Sequence, residues 1–451
     1  MRMKQNNSPW LTQLRNERSV LPLQKDAAVD LVIVGGGIAG ITTLFFLLKY
    51  THKKIILIEA NKIAHGATGH NAGQVVAEFE KPLSEIIHEH GLKKAMAGLA
   101  AVEAAWDLTN EIFDDTKLDV PFKELIGYGG YALFEQLFDE LETEYIKSTH
   151  GMITFPVMLA RESGWMKKIP EKYKSLCIEV DQAVIDGVLE VPGSNFHGVL
   201  AHKAAVMNSA LFTERLAEWC LEHYGDRCHI FENTFVHGIE LALERPKVIT
   251  NDAVVTADHV ILCTNGFENF YIHDKQSLAI DTKFHHELHG VVGYMTGFVS
   301  LKQMDPFANY YYPKELAHAS DPYYYVTRRA FTEGDHDSTL MIVGGPEIRL
   351  QNREIYYREF DVAENYHDDA VTFTRNNFVM DDIQEKFFWH GLMGYTTSGV
   401  RLVGPEPLDE RLMYNLGCNG IGILPSIMGA RKITDHINGE KLEPTIFDPK
   451  R

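Results

Sequence analysis

Residues 30–40 read D-L-V-I-V-G-G-G-I-A-G, from Asp30 to Gly40. Residues 31–34 form a short apolar run rich in β-branched side chains, the pattern of a parallel strand covered on both faces. Gly35, Gly37 and Gly40 follow at the G-x-G-x-x-G spacing, with Ile38 and Ala39 between the last two. The first glycine permits a tight turn. The second lets the backbone approach a pyrophosphate, and the third lets the next helix pack close to the strand. An apolar helix over 41–50 would point its first N–H groups at the phosphates. A second strand is expected over 54–58, ending at Glu59 and Ala60. Glu59 lies about 20 residues past the last glycine, where a carboxylate binds a ribose hydroxyl. Strand, glycines, helix, strand and acid together imply a bound adenine dinucleotide.

The chain has 451 residues and a net charge of −19, long enough for two or three cores. The acidic balance speaks against nucleic acid or an anionic membrane as main partner, since both select basic surfaces. The five cysteines include no C-x-x-C pair, which suits reduced thiols in a cytoplasmic protein and offers no zinc site. No run of about 18 apolar residues could span a bilayer.

Outward from the opening motif, residues 1–28 read as a polar leader packed on the surface. Residues 91–116 read as a long helical stretch, and 120–195 as short strands with Gly-rich and Pro-rich turns. Residues 208–224 read as an amphipathic helix with Asn208 as N-cap and Gly225 as stop. Strands are expected over 229–239 and 253–262, the second ending in Thr264, Asn265 and Gly266. Residues 285–300 and 322–345 alternate like antiparallel strands, with a polar hairpin tip at 335–338. Residues 412–416 read as a strand, 417–422 as a glycine turn, and 425–438 as a helix closed by Gly439. Nucleotide-binding elements are thus scattered. The fold expected is α/β, a discontinuous Rossmann-like domain with an inserted antiparallel β-sheet domain.

Four segments resemble the D-amino-acid oxidase superfamily of FAD-dependent oxidoreductases, which includes glycine, sarcosine and γ-glutamylputrescine oxidases. They are the opening motif with Glu59; G-A-T-G-H-N-A-G-Q at 66–74; A-D-H-V-I-L-C-T-N-G at 257–266; and W-H-G-L-M-G-Y-T-T-S-G-V-R-L-V-G at 389–404 with L-G-C-N-G-I-G-I-L-P-S at 416–426. The resemblance implies FAD-binding pieces at 1–85, 198–272 and 388–451, and a substrate domain from 86–197 and 273–387. It implies that Gly35, Gly37, Gly40 and Glu59 hold the ADP half of FAD, with Ile38, Ala39, Ala60, Thr264, Asn265 and Gly266 also in the cofactor site. Thr68, His70, Asn71, Ala72 and Gly73 would line the pyrophosphate and flavin ring, Val236 would meet the adenine side, and Gly420, Gly422 and Ile423 the pyrimidine edge.

The departures are informative. Met393 stands where amino-acid oxidases of the family carry an arginine that clamps the substrate carboxylate. Arg401 could substitute if its side chain points inward; the alternative is a structural arginine. Ser398 replaces the family's aspartate. His70 replaces an arginine, and relatives with histidine there include one with a histidyl flavin, so a bond at His70 stands beside the duller noncovalent contact. The hairpin D-P-Y-Y-Y-V-T-R-R resembles the strand over the flavin. There Tyr325 is expected to face substrate, Arg328 to hold an anion, and Tyr324 to point the other way. His285, His286 and His289 fall one residue short of H-E-x-x-H and align with a strand, which leaves no expected metal site.

The implied chemistry is oxidation of a small amine or amino acid at the C–H next to nitrogen, with O2 or another electron acceptor closing the cycle. The T-G-H-N-A-G segment also resembles 2-hydroxy-acid oxidases, and a protein of an assembly that uses FAD only for stability is a further alternative. A modified nucleoside in RNA as the amine is opposed by the acidic charge.

Overall fold

The computed structural model describes residues 6–14, 18–242, 244–275, 278–314, 323–333, 336–351, 354–357, 364–379 and 382–450. Among them the strands form two sheets. At the centre of the first lies Ala27–Val34, parallel to Ile55–Ile58 on one side and to Val254–Leu262 on the other. Cys228–Phe231 extends the sheet beyond Ile55–Ile58, and Asp409–Leu416 runs parallel beside Val254–Leu262. Leu31, Val32 and Ile33 are fully buried, as a strand covered on both faces requires.

The helix Ile38–Tyr50 follows the glycine turn and is buried from Ile38 to Leu48. It packs between Ser209–Tyr224 and Ile423–Ile437. Gly35 has φ +108°, and a Cβ at Gly40 would collide with the Gly35 carbonyl oxygen. Both glycines are therefore required by the backbone path.

The second sheet runs in the order Ile383–Thr396, Leu288–Ser300, His336–Arg349, Tyr324–Glu333, Phe307–Tyr312, Phe122–Tyr131, Gly198–Met207, Val157–Ala160, Cys177–Val180, with Gln74–Val76 beside Gly198–Met207. Its pairing is mostly antiparallel, with parallel contacts between Phe307–Tyr312 and Phe122–Tyr131 and between Val157–Ala160 and Cys177–Val180. The fold is thus the expected α/β architecture with two mixed sheets. Gly198–Met207 and Ile383–Thr396 belong to the second sheet, whereas the expected divisions fall at 198 and 388.

Several local expectations are corrected. The leader is not a surface segment: Trp10 is fully buried, and its Nε1 donates to the Asn71 carbonyl at 2.5 Å. The region 120–195 contains two helices, Phe134–Thr149 and Gln182–Leu189. Of the strand expected over 285–300, residues 285–287 instead close the helix Ala279–Glu287 and the strand runs Leu288–Ser300, with His285 on the Glu268 carboxylate at 2.8 Å. The reading over 229–239 splits into Cys228–Phe231 and Val236–Glu240, which lie at different places in the sheet. Of the hairpin tip expected at 335–338, Asp335 lies outside the described residues and 336–338 belong to the strand His336–Arg349, which pairs with Tyr324–Glu333.

Other expectations hold. Asn208 caps Ser209–Tyr224 by accepting from the Leu211 N–H at 3.0 Å. Ile423–Ile437 ends just before Gly439, which has φ +78°. No helix among the described residues is long and apolar enough to cross a membrane.

Candidate active site

A cavity of about 1060 Å3 opens where the two sheets meet. At one end lie Gly35, Gly37, Ile38 and Ala39, at the C-terminal edge of the central strand and the start of Ile38–Tyr50. This helix has no side-chain cap, so its positive end is open to an anion. The Ile38 N–H donates to Thr68 Oγ1 at 2.9 Å. Glu59 accepts from the Gly36 N–H at 2.6 Å and from the Asn61 N–H at 2.9 Å. These bonds fix the carboxylate at the strand end. Ala60 and Val236 line the same end.

A second uncapped helix start, at Gly422 and Ile423, borders the cavity from another part of the chain. Thr264, Asn265 and Gly420 lie in the same wall. Asn265 accepts from the Cys418 N–H at 2.9 Å and so ties the middle segment to the C-terminal turn. Two helix starts, a glycine turn and a strand-end acid on one cleft fit a dinucleotide with an electron-rich ring at its far end.

The loop at 66–74 carries His70, Asn71, Ala72 and Gly73 into the cavity wall. His70 is buried, and its Nδ1 lies 2.9 Å from the Gly66 carbonyl. A carbonyl only accepts, so the Nδ1 proton is fixed there. The Asn71 side chain donates to Thr68 O and Ser209 Oγ and accepts from the Gly73 N–H. It is a clamp for the loop.

Three expected site residues are placed elsewhere. Gly40 is beneath the turn, packed on Gly35, and does not border the cavity. Gly266 packs against the Met393 carbonyl and the Gly394 Cα, where a side chain would force the sheets apart. Arg328 points to the opposite face of its strand. It pairs with Glu190 at 2.7 Å, lies over the Phe307 ring, and lines a separate cavity. The cause is the two-residue period of a strand: Tyr325 faces the large cavity, and a residue three positions on faces away. By the same rule Tyr324 faces away, stacked on Phe373 with centroids 4.0 Å apart.

Arg401 does border the cavity, but its guanidinium donates to the Asn415 side chain at 2.7 Å and the Asn415 carbonyl at 2.9 Å. Burial pulls it down to about 10. Met393 lies beside Gly293 and Tyr325 in the cavity wall, so no cation stands where the family's arginine would.

Residues that sequence reasoning missed form the far arm of the cavity together with the expected Tyr325. Glu78, Glu80, Glu140 and Glu347 line it with Tyr310, Tyr312, Tyr323, Tyr325 and Tyr395. Tyr323 donates to Glu80 at 3.1 Å. Burial, aided by Glu347 and Glu78, pushes Glu80 up to about 7 against the lowering effect of that bond. Burial, with Glu78 and Glu144, pushes Glu140 up to about 8. Burial likewise raises Glu78 and Glu347. These acids come from a loop, a helix and a strand far apart in sequence, so no spacing could reveal them. The tyrosine spacing 310, 312 and 323, 325 was the available signal, since period two puts each pair on one face. Gly129 and Gly344 sit beneath the Tyr310 and Tyr325 rings, where a side chain would collide with them. Among the described residues no group of three or more His, Cys, Asp or Glu is arranged to hold a metal ion.

A family model described as FAD dependent oxidoreductase (DAO) matches residues 30–436. The protein YhfW of Bacillus subtilis (strain 168) is 27% identical over 245 residues, 54% of this chain and 42% of that protein. The chain spans less than half the length of the curated relatives it matches. Glycine oxidase from Geobacillus kaustophilus shares the fold with a TM-score of 0.67 at 14% identity, covering 94% of this chain and 99% of that one. The L-α-glycerophosphate oxidase of Mycoplasma pneumoniae, solved with FAD bound, does so with a TM-score of 0.62 at 13% identity, covering 93% and 100%. With its glycine turn, strand-end acid and two-sheet cavity already pointing to the same cofactor, the chain belongs to the FAD-dependent oxidoreductase (DAO) family.

Proposed function

We propose that the protein oxidises a small amine at the C–H next to nitrogen and holds FAD without a covalent bond. Gly35, Gly37, Ile38, Ala39 and Thr68 would hold the pyrophosphate, Glu59 and Ala60 the ribose, and Val236 the adenine side. His70, Ala72, Gly73, Thr264, Asn265, Gly420, Gly422 and Ile423 would surround the flavin. Bound there, FAD would supply a two-electron acceptor for the hydrogen of that C–H and its electron pair, and O2 or another carrier would take the electrons onward.

The chain's own residues set the conditions. Tyr325 and Met393 form a wall that positions the substrate and excludes water. Glu80, poised near neutrality, takes the proton of an incoming ammonium so that the nitrogen lone pair is available. The imine product leaves and is hydrolysed by water. The observation that carries the reading is the continuity of one cavity from the Gly35 turn to the Tyr325 wall. A 2-hydroxy acid is less well served. Its carboxylate needs a cation, and Arg401, the one Lys or Arg among the described residues of this cavity, is fastened to Asn415.

The test is anaerobic mixing of the yellow holoenzyme with amines and with 2-hydroxy acids. Amines are expected to bleach the flavin and hydroxy acids to leave it oxidised. Bleaching by hydroxy acids alone overturns the proposal, and bleaching by neither favours a purely structural flavin. Acid precipitation is expected to leave the colour in the supernatant; colour in the pellet would assign a covalent link, and its loss in a His70→Ala variant would place that link at His70.

A further inference from the structure

We propose that the preferred substrate carries a second positive charge: a short diamine, oxidised at one nitrogen while its other end rests as an ammonium in the acidic arm of the cavity. The inference deepens the amine reading above and rests on it.

The arm is built from separate elements that converge. Glu78 and Glu80 follow the strand Gln74–Val76, Glu140 comes from the helix Phe134–Thr149, and Glu347 from the strand His336–Arg349. The cation near Glu78 and Glu140 is Lys147, which is held by Glu144 at 2.7 Å. Among the described residues neither Glu78 nor Glu140 has a hydrogen-bond donor on its carboxylate. Both are largely enclosed by protein while still bordering the cavity. Carboxylates enclosed together repel one another and lose hydration, a cost that a bound cation offsets.

The aromatic residues agree. Tyr312 lies 4.9 Å from Tyr323 and 6.0 Å from Tyr310, centroid to centroid. Tyr323 in turn lies 6.1 Å from Tyr325. They form a continuous wall from the Met393 region to the acids. Tyrosine faces attract ammonium groups by cation–π interaction, most strongly where water is excluded. A carboxylate-bearing substrate meets the opposite conditions: Met393 in place of a clamp, and acids beyond it. The distal ammonium takes no part in the oxidation. It fixes the chain so that the reacting C–H is presented in one register, and its binding energy is realised as orientation.

The test uses holoenzyme under anaerobic conditions. 1,4-Diaminobutane is compared with butylamine, the monocation of equal length, and with glycine and N-methylglycine. The second-order rate of flavin bleaching is expected to be about 30-fold higher for the diamine, a difference that one enclosed cation–π and charge contact supplies. In the Glu78→Gln/Glu140→Gln double variant the ratio of diamine to butylamine rates is expected to fall about tenfold. Binding is read separately with 1,4-bis(trimethylammonio)butane, which has no lone pair to oxidise. It is expected to perturb the flavin absorbance at concentrations well below those at which tetramethylammonium does.

Butylamine or an amino acid reacting as fast as the diamine overturns the inference and leaves amine oxidation standing. An unchanged ratio in the double variant, with FAD retained by its visible spectrum, overturns the assignment of those two acids. If no nitrogen compound bleaches the flavin, the amine chemistry falls, and the quaternary pair on the unaltered protein then decides the acidic arm alone: equal binding of the two overturns it.

Discussion

Glu80 shows how much one position can depend on the whole fold. Its carboxylate faces the Tyr323 hydroxyl, the Tyr395 hydroxyl region beside Gly420, and the acids Glu78 and Glu347. Desolvation and like charge hold it neutral below about 7 and ionised above. A base works in its ionised form, so the rate of amine oxidation per unit substrate should rise with pH through that value. Glu80→Gln should remove this limb and lower kcat/KM by about 100-fold, read from pH–rate profiles of the two proteins. Glu80 belongs to no motif, and Tyr323, Glu347 and Tyr395 lie hundreds of residues on. The sequence therefore discloses Glu59, which strand and glycines predict by spacing, and conceals Glu80, which only the folded arrangement defines.

Elements were legible where one local rule decides them. The central strand, the glycine turn and the cap at Asn208 each follow from a short pattern. Asn208 does more than its pattern says: Nδ2 donates to the Trp10 carbonyl at 3.2 Å and to Gln13 at 3.0 Å while Oδ1 caps the helix. Asn208→Ala should therefore lower stability by about 1–2 kcal/mol, seen as a drop of a few degrees in the thermal midpoint, whereas Asn208→Ser should keep most of the cap. The strand Tyr324–Glu333 was legible only in part. Period two correctly divides Tyr324 from Tyr325, and applied one step further it separates Arg328 from Tyr325 as well. The leader was opaque because Trp10 is buried by contacts with the 66–74 loop, which no property of residues 6–14 announces.

For the whole molecule the enclosed acids carry a consequence in solution. Glu78, Glu80, Glu140 and Glu347 all have carboxyls raised above the ordinary range. Through these acids the folded state binds more protons than the unfolded one up to about pH 8, while His90, His202, His259 and His289, pulled down by burial, act the other way below about 6.5, so stability falls as pH rises from about 6.5 to 8. Glu89 and Asp409 are shifted down and lose their contribution only below it. The thermal midpoint of the holoenzyme should thus decline from about pH 7 to about pH 9, and 1,4-diaminobutane should restore it most at the alkaline end; a flat profile there would contradict the enclosure of these acids. The α/β architecture was visible at this scale because parallel strands announce themselves as buried runs. The second sheet's helices were not, because their polar faces resemble turns.

The neighbours of the central strand also set a timetable. Ala27–Val34 pairs with Val254–Leu262, and Asp409–Leu416 then joins that strand. At a ribosomal pace of about 5–20 residues per second, the first segment waits at least some ten seconds for its partner. The cleft closes only once Ile423–Ile437 has emerged, so the nascent chain can grip FAD only after that helix is made, and a cell starved of riboflavin would leave three distant segments without the ligand that joins them.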